Sequence, residues 1–364
     1  MPLRARIENK EMISTFLSKE EWRNLKDSIK SNNIDVIIAQ TNKKGYLRTS
    51  KLGLQHFVHK RGEKPENWNP ESQQHLLAKS EVLLGCEDAG WEAISEFSEN
   101  DWIADVISVK GKNRIAFEIQ WSKQTYERTE ERQTKYNNDN VRGCWFLKSP
   151  SKEIRDWEKN IIAEKEIPSF KIFENDNREI NVTINDNIIP LRAFVAKLLN
   201  GNIKFCNKFK SRKKQKIKIS FWETSCRKCG TKQYVYFVDD VLKSKCGCDI
   251  DVISTFWDDS KFESYPPILK AVTGIINSEE GKNIKIGDIK KRFSYEVNKS
   301  YMSFGCINCD SIFEDYLLME ERIEIISSGK INDIVFEKEI ELITPIISEN
   351  KPHWCISETK EFCE

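Results

Sequence analysis

Apolar residues change their spacing along the middle of the chain, and this change predicts a helix followed by three strands. Residues 71–89 carry leucine and valine at near-helical intervals, with Asn69-Pro70 as a start signal and Gly90 as a stop signal. Three segments with the alternation typical of strands come next, at residues 91–97, 102–109 and 114–121.

A second helix and a buried strand are expected after these strands. Residues 123–138 are polar and charged without proline or glycine, which favours a helix, and Gly143–Leu147 (GCWFL) indicates a short buried strand. The order of helix, three strands, helix and strand predicts an α/β or α+β core with a mixed sheet. An amphipathic helix is expected over residues 189–199.

The flanking regions have weaker patterns. Val36–Ala39 predicts a strand, Gln55–His59 indicates another strand or the edge of a turn, and residues 63–70 have the composition of a linker. Residues 322–345 predict strands or a mixture of strand and helix. We therefore expect a small β-rich N-terminal module, a central α/β domain and a C-terminal domain with a basic segment and many cysteines, over residues 1–68, 69–200 and 201–364.

The composition is that of an ordinary globular protein. The 364 residues, 39% hydrophobic and 32% charged, suffice for two or three domains. No apolar run reaches the roughly 18 residues of a membrane span. The N-terminal residues lack the apolar core of a signal peptide, so a cytoplasmic protein is expected. The net charge of +1 neither supports nor excludes a nucleic-acid partner.

Two acidic residues fall opposite each other in the predicted hairpin of the central domain. If Gly111-Lys112 forms a two-residue turn, pairing runs outward from it and Asp105 faces Glu118. Gln120 shares their face, because side chains two positions apart on a strand point the same way. Opposed carboxylates repel each other, so we expect a cation between them, as in a magnesium-dependent phosphodiesterase site.

Solvent exposure is the simpler interpretation of each residue taken alone. A Glu-x-Gln pair on a strand usually lies on a solvated face, and a lone aspartate is often a turn or cap residue. Asp105, however, stands inside the apolar run Ile103–Ile107, where an unpaired carboxylate is costly. This context favours a site formed by Asp105, Glu118 and Gln120.

Six short motifs in this order resemble the CoiA-like competence nuclease family, within the PD-(D/E)XK nuclease superfamily. They are HFVH (His56–His59), ESQQHLLAK (Glu71–Lys79), WIAD (Trp102–Asp105), AFEIQWSK (Ala116–Lys123), ER with a later tyrosine (Glu131, Arg132 and Tyr136) and GCWFLK (Gly143–Lys148). Residues 190–205 also resemble the segment on the C-terminal side of the nuclease core in that family. Each motif alone is weak, and their shared order makes the resemblance specific.

The resemblance implies an αβββαβ nuclease core in which Asp105 and Glu118 bind Mg²⁺ or Mn²⁺. Gln120 stands where many members of the superfamily have a lysine. Gln120 can orient a water or a phosphate but carries no charge, so we expect Lys79 or Lys123 to supply the missing charge.

One face of the first predicted helix is expected to border this site. Glu71, His75 and Lys79 are spaced four apart and therefore share a helix face. The resemblance places that face beside the acidic residues, where His75 would transfer a proton or contact a phosphate.

The implied function is hydrolysis of DNA, single- or double-stranded, by a metal-dependent nuclease. The resemblance implies a role in competence or recombination, and defence against mobile elements is an equally natural setting. An alternative is a non-catalytic nucleic-acid-binding protein that uses the nuclease-like fold as a scaffold, which the missing lysine at position 120 favours. A third alternative is an interaction module with zinc as a structural element.

The chain contains eleven cysteines, most of them in the C-terminal domain. In a protein without an export signal, CxxC pairs indicate a metal before a disulfide. A structural Cys₄ zinc site is predicted from the two CxxC pairs, Cys226, Cys229, Cys306 and Cys309. Cys246 and Cys248 keep another arrangement open, since they could replace one of these pairs or form a second, partial site. Cys144, within an apolar strand, is expected in the core.

The histidine pair His56 and His59 corresponds to part of a small zinc finger in CoiA-like proteins, which often carry cysteines upstream of it. No cysteine precedes Cys86 in this chain. We therefore expect a degenerate, metal-free module in which both histidines are structural.

A basic segment begins the C-terminal domain. Residues 204–218 contain eight lysines or arginines and no acid, interleaved with Phe205 and Phe209. Such a segment can track a phosphate backbone and stack on bases, although a solvated charge run or a linker explains it as well. The candidate nucleic-acid contacts are Lys208, Lys210, Arg212, Lys213 and Lys214.

Overall fold

The chain divides into two compact units. In a computed structural model, the first unit comprises Met1–Asn207 with Pro352–Phe362, and the second comprises Lys208–Lys351 with Cys363–Glu364. The structure describes residues 2–66, 71–122, 124–148, 165–185, 187–238, 240–253, 266–345, 347–348 and 352–364. The last four residues of the expected linker and Lys123 lie outside these ranges.

A five-stranded antiparallel sheet with one helix forms the N-terminal part of the first unit, in the order β2-β1-β3-β4-β5. Helix α1 (Lys19–Asn32) begins at Ser18 with a capping box and packs Trp22 against Phe57. Its strands are β1 (Arg4–Ile7), β2 (Lys10–Ile13), β3 (Val36–Ile38), β4 (Lys43–Thr49) and β5 (Gln55–His59). These residues form the β-rich module that the sequence predicts.

A seven-stranded mixed sheet forms the rest of the first unit, in the order β12-β11-β10-β9-β8-β7-β6. Strand β9 runs parallel to β8 and β10, and the other pairs are antiparallel. The strands are β6 (Glu92–Glu99), β7 (Trp102–Lys110), β8 (Asn113–Gln120), β9 (Arg142–Lys148), β10 (Ser169–Glu174), β11 (Ile180–Ile184) and β12 (Asn187–Pro190).

Helices cover both faces of this sheet. On one face, α2 (Gln73–Asp88) and α4 (Leu191–Leu199) share a core with Phe117 and Phe146. On the other face, α3 (Tyr126–Asn138) packs against a smaller core that includes Trp145. The chain order α2, β6, β7, β8, α3, β9 confirms the predicted αβββαβ core.

Three predicted helix starts were a few residues too early, for local reasons. Helix α3 begins at Tyr126 and not at 123, because the Thr125 hydroxyl accepts a hydrogen bond from the backbone N–H of Arg128 and caps the helix. Helix α2 begins after Ser72, whose hydroxyl accepts a hydrogen bond from the backbone N–H of His75, so Ser72 and not Asn69-Pro70 is the cap. Helix α4 begins at Leu191 and not at 189, because the residues before it pair with β11 as strand β12.

The second unit is built mainly from short antiparallel sheets. Its three-stranded sheet has the order β16-β15-β21, beside the pairs β14-β22, β17-β18 and β19-β20. The strands are β14 (Phe209–Lys210), β15 (Lys214–Ser225), β16 (Lys232–Phe237), β17 (Asp240–Lys243), β18 (Asp249–Ile253), β19 (Ile289–Ser294), β20 (Lys299–Phe304), β21 (Ile334–Glu341) and β22 (Ile347–Ser348). The remaining pair, β13 (Ile203–Cys206) with β23 (His353–Ile356), belongs to the first unit.

Two helices complete the second unit, α5 (Pro266–Ile276) and α6 (Asp315–Ser327). Helix α6 and then β21 give the mixture of helix and strand predicted for residues 322–345. Within the described parts of the chain, no helix is both long and apolar enough to cross a membrane.

Candidate active site

The hairpin of β7 and β8 has the predicted register. Its pairs run from Lys110↔Asn113 next to the turn to Val106↔Phe117, and Gly111 in the turn has a φ of 60°. One further step in this register places Asp105 opposite Glu118. Both side chains line a cleft of about 360 Å³, together with Ser72, His75, Gln120 and Arg132. We call this the acidic cleft.

Asp105 is held from two sides in the acidic cleft. Its Oδ2 accepts a hydrogen bond of 2.8 Å from the backbone N–H of Ile119, and Nε2 of His75 lies 3.3 Å from the same oxygen. Burial alone would raise the pKa of Asp105. His75, Lys79 and the Ile119 N–H outweigh burial and hold that pKa below its usual range. Asp105 is therefore an ionised ligand candidate.

Glu118 is almost completely buried, with 1% of its surface exposed. Its Oε1 accepts a hydrogen bond from the Tyr136 hydroxyl and lies 2.6 Å from the Arg132 guanidinium. Its Oε2 is also buried and has no hydrogen-bond partner among the described residues. Burial, and secondly the charge of Asp105, raise the pKa of Glu118 to about 8. A cation at Oε2 would relieve both effects.

The start of α2 contributes further potential ligands. One ligand atom each from Glu71, His75 and Asp105 lies within 4.8 Å of the others, which is close enough for one metal ion. Carboxylate oxygens suit Mg²⁺ and Mn²⁺, and imidazole is favoured by softer divalent metals. Of the three residues predicted to share a helix face, His75 lies on α2 and lines the acidic cleft, whereas Glu71 precedes the Ser72 cap and is not part of the helix.

Lys79 lies behind the acidic cleft and not in it. Its ammonium is fully buried, 2.9 Å from Glu71 and 2.6 Å from Glu96. Burial alone would lower the pKa of Lys79, but Glu96, Glu71 and Asp105 raise it well above its usual value, so Lys79 is charged. A buried ammonium cannot touch a phosphate, so Lys79 would act through its carboxylate partners.

Glu96 is a site-related residue that the sequence did not reveal. The β6–β7 ladder passes from Ser95↔Val106 to Phe97↔Ala104, so Glu96 stands opposite Asp105 on the side away from Glu118. Its φ of 47° is rare for a residue with a side chain. In the sequence Glu96 is only a polar position of an alternating strand, and its partner Lys79 comes from another element.

Arg132 and Tyr136 of α3 both contact Glu118 in the acidic cleft, which their spacing in the sequence does not suggest. Four residues apart on a polar helix, they could be an ordinary surface pair. Instead Tyr136 is fully buried, and both residues hold Glu118. Arg132 also lies over the Trp145 ring, 5.2 Å from its centroid. The signal available in the sequence was a large aromatic residue within an otherwise charged helix.

The four CxxC cysteines of the second unit come together. Their sulfur atoms lie within 4.8 Å of one another, with 3.7 Å between Cys226 and Cys309 and 3.5 Å between Cys229 and Cys306. Each pair lies on the same kind of turn. In the first turn the N–H of Gly230 donates to the carbonyl of Cys226, and in the second the N–H of Asp310 donates to the carbonyl of Cys306. This Cys₄ cluster could bind zinc.

The N-terminal histidines have hydrogen-bond partners of their own. Nδ1 of His56 lies 3.1 Å from the Leu54 carbonyl, and Nε2 of His59 lies 2.8 Å from the Thr41 hydroxyl. Burial lowers the pKa of both histidines. Among the described residues, neither belongs to a group that could hold a metal.

The basic segment is largely strand and not a linker. Phe205 packs on Trp354, 5.4 Å between ring centroids, and Phe209 packs against the core of the second unit. Strand β15 pairs along its length with the acidic strand β21, in the pairs Lys214↔Glu341, Lys216↔Glu339 and Lys218↔Glu337. Much of the basic charge therefore has an acidic counterpart.

A mixed sheet between helices, with carboxylates from two paired strands in one cleft, defines a nuclease-like α/β domain. Residues 71–199 match the family model described as "Competence protein CoiA, nuclease-like domain". The resemblance predicted from the motifs is thus confirmed for this segment. Searches of curated proteins and of solved structures gave no match.

Proposed function

We propose that this protein is a metal-dependent nuclease that hydrolyses phosphodiester bonds of DNA. The observation that carries the proposal is the placement of Asp105 and Glu118 on paired strands in one cleft, with a buried Glu118 oxygen left for a cation. The match to the CoiA nuclease-like family supports the same chemistry. Processing of DNA in competence or recombination is the proposed setting, with defence against mobile elements as another.

Mg²⁺ or Mn²⁺ would be held by Asp105 and Glu118, and Glu71 and His75 lie near Asp105 as further potential ligands. When bound, such an ion lowers the pKa of a water and neutralises charge on the scissile phosphate. The buried Oε2 of Glu118 and the ionised Asp105 are the features that fit a hard cation.

The other residues of the acidic cleft would position the substrate. Arg132 offers a guanidinium to a phosphate, which compensates for the neutral Gln120. Gln120 would orient a water or a phosphate oxygen through its amide. Lys79, buried beneath the cleft, would hold Glu71 in place through their contact of 2.9 Å and so act as a positioning residue.

The second unit would stabilise the fold and add nucleic-acid contacts. We assign a structural zinc ion to the Cys₄ cluster, since four cysteines leave no open coordination position for catalysis. Lys208, Lys210, Arg212, Lys213 and Lys214 are the proposed contacts to the phosphate backbone.

A cleavage assay tests the proposed activity. Purified protein is incubated with single- and double-stranded DNA in Mg²⁺ or Mn²⁺, beside Asp105→Asn and Glu118→Gln. Asp101→Asn is the matched control, because the Asp101 side chain is 70% exposed and lies in the turn between β6 and β7. We expect the wild-type protein and the control to cleave DNA. We expect both site variants to fold normally but not to cleave.

A non-catalytic nucleic-acid-binding protein is the second candidate. The neutral Gln120 favours it, because a cleft without a lysine at this position has less positive charge available for catalysis. DNA binding without cleavage under every metal condition would establish this candidate and overturn the nuclease.

A further inference from the structure

Three cysteines outside the Cys₄ cluster gather in the second unit. Cys246 and Cys248 lie in the turn between β17 and β18, and Cys363 is the penultimate residue of the chain. The sulfur of Cys246 is 3.6 Å from that of Cys248 and 3.6 Å from that of Cys363. All three are buried, with 8% or less of their surface exposed.

These distances match sulfurs that share a metal. A disulfide requires about 2.05 Å between sulfurs, so none of these contacts is a covalent bond. Four thiolates at about 2.3 Å from zinc in a tetrahedron lie about 3.8 Å apart. The Cys₄ cluster has the same spacing, with 3.5 and 3.7 Å between its neighbouring sulfurs.

The turn that carries two of these sulfurs is held by its own hydrogen bonds. Ser244 N–H donates to the Cys248 carbonyl at 2.8 Å, and Gly247, with a φ of 94°, donates to the Ser244 carbonyl at 3.0 Å. A glycine between the two cysteines permits this left-handed conformation. The turn thus orients Cys246 and Cys248 toward each other.

Polar groups lie close to the turn and to one of its thiols. The Ser244 hydroxyl lies 3.2 Å from the Cys246 sulfur, and the Arg212 guanidinium donates to the Ser244 carbonyl at 3.0 Å. The same guanidinium lies beside Gly247, 3.5 Å from where a Cβ would stand.

We propose that Cys246 and Cys363, with Cys248 next to Cys246, form a second thiolate metal site in the second unit, suited to Zn²⁺. Thiolate ligands select zinc over the hard cations proposed for the acidic cleft. The bound metal would fasten the last two residues of the chain to the β17–β18 turn.

Metal content of the full-length protein, purified under reducing conditions, tests this site. We expect about two equivalents of zinc in wild type and about one in Cys246→Ser and in Cys363→Ser. Cys226→Ser should also retain about one, and Cys226→Ser with Cys363→Ser none. The control is Cys144→Ser, because the Cys144 thiol is buried in the first unit and belongs to no group of sulfurs that could hold a metal among the described residues.

A second variant covers the case in which Cys246→Ser does not fold. Deletion of Cys363 and Glu364 removes one ligand without touching the turn, and should likewise release about one equivalent of zinc. Substitution with Co²⁺ should give thiolate charge-transfer absorption that weakens in the same variants. Unchanged zinc in the Cys363 variants, or a disulfide at Cys246 found by mass spectrometry of the reduced preparation, would overturn the site.

Discussion

The guanidinium of Arg132 lies 2.6 Å from Oε1 of Glu118, so α3 brings a positive charge to a strand carboxylate that faces the acidic cleft. This pair holds one oxygen of Glu118 and leaves Oε2 without a hydrogen-bond partner among the described residues. Glu118 is thereby oriented before any metal arrives. The arginine of the acidic cleft thus belongs to a helix and not to the strand that carries Gln120.

Replacing Arg132 should therefore impair catalysis more than folding. Arg132→Met keeps much of the packing on Trp145 but removes the charge, and we expect kcat to fall about 100-fold. The matched control is Arg128→Met, since Arg128 is exposed on the same helix. The cleavage rates of both variants are measured at saturating metal. Equal effects of the two substitutions would show that Arg132 has no role in catalysis.

The raised pKa of Glu118 predicts a pH-dependent stability in buffer without divalent metal. The folded state keeps its proton up to about pH 8, whereas in the unfolded chain Glu118 ionises near its ordinary value of 4.5. Between these values the folded state binds more protons, so the free energy of unfolding falls as the pH rises, by a few kcal/mol. Urea denaturation at pH 5 and pH 8.5 measures this fall, and Glu118→Gln should flatten it. An identical pH dependence in the variant would contradict the buried, protonated carboxyl.

Lys79 should contribute strongly to stability, because its buried ammonium neutralises the buried Glu96 and the partly exposed Glu71. Lys79→Met leaves Glu96 and Glu71 without their buried cation, at a cost of about 3–5 kcal/mol. A second change, Glu96→Gln, should recover part of that loss. Lys135→Met breaks an exposed pair of 2.7 Å with Asp101 and should cost less than about 1 kcal/mol. Similar losses of unfolding free energy in both lysine variants would be incompatible with this view of Lys79.

The hairpin and its two acids were predictable because their determinants are local. Gly111 fixes the turn, the turn fixes the register, and the register alone brings Asp105 opposite Glu118. The same holds for the αβββαβ order, since each element carries a local signal of its own: apolar spacing in α2 and the strands, and a polar segment without proline or glycine in α3. The roles assigned to Asp105 and Glu118 remain predictions that the cleavage assay must test.

The features that the sequence left undetermined depend on residues far apart along the chain. Glu96 owes its importance to Lys79 and to an unusual backbone conformation, neither of which a strand pattern reveals. Arg132 and Tyr136 face inward because α3 packs on Trp145 from a later strand. Hydrophobic periodicity assigns a face to a helix but does not identify the buried partner.

The Cys₄ cluster should hold the second unit together when zinc is bound. Cys229→Ser should lose about one equivalent of zinc and lower the protection of β15 and β21 in hydrogen exchange. Cys86→Ser, a change at a buried thiol of the first unit, should leave the zinc content and that protection unchanged. Full protection in Cys229→Ser would show that the unit folds without the metal.

The salt dependence of DNA binding should separate the lysines of the basic segment. Lys213 and Lys214 lie 3.0 and 3.7 Å from the carboxylate of Glu341, so their charges are already partly matched. Glu341 lies more than a hundred residues from these lysines in the sequence. The composition of the basic segment alone therefore overstates the positive charge that is free to bind DNA. We expect Lys208→Gln with Lys210→Gln to lower the slope of log affinity against log salt by about one to two. The Lys213→Gln and Lys214→Gln pair should change that slope by much less, and the reverse order would show that Glu341 does not restrain these lysines.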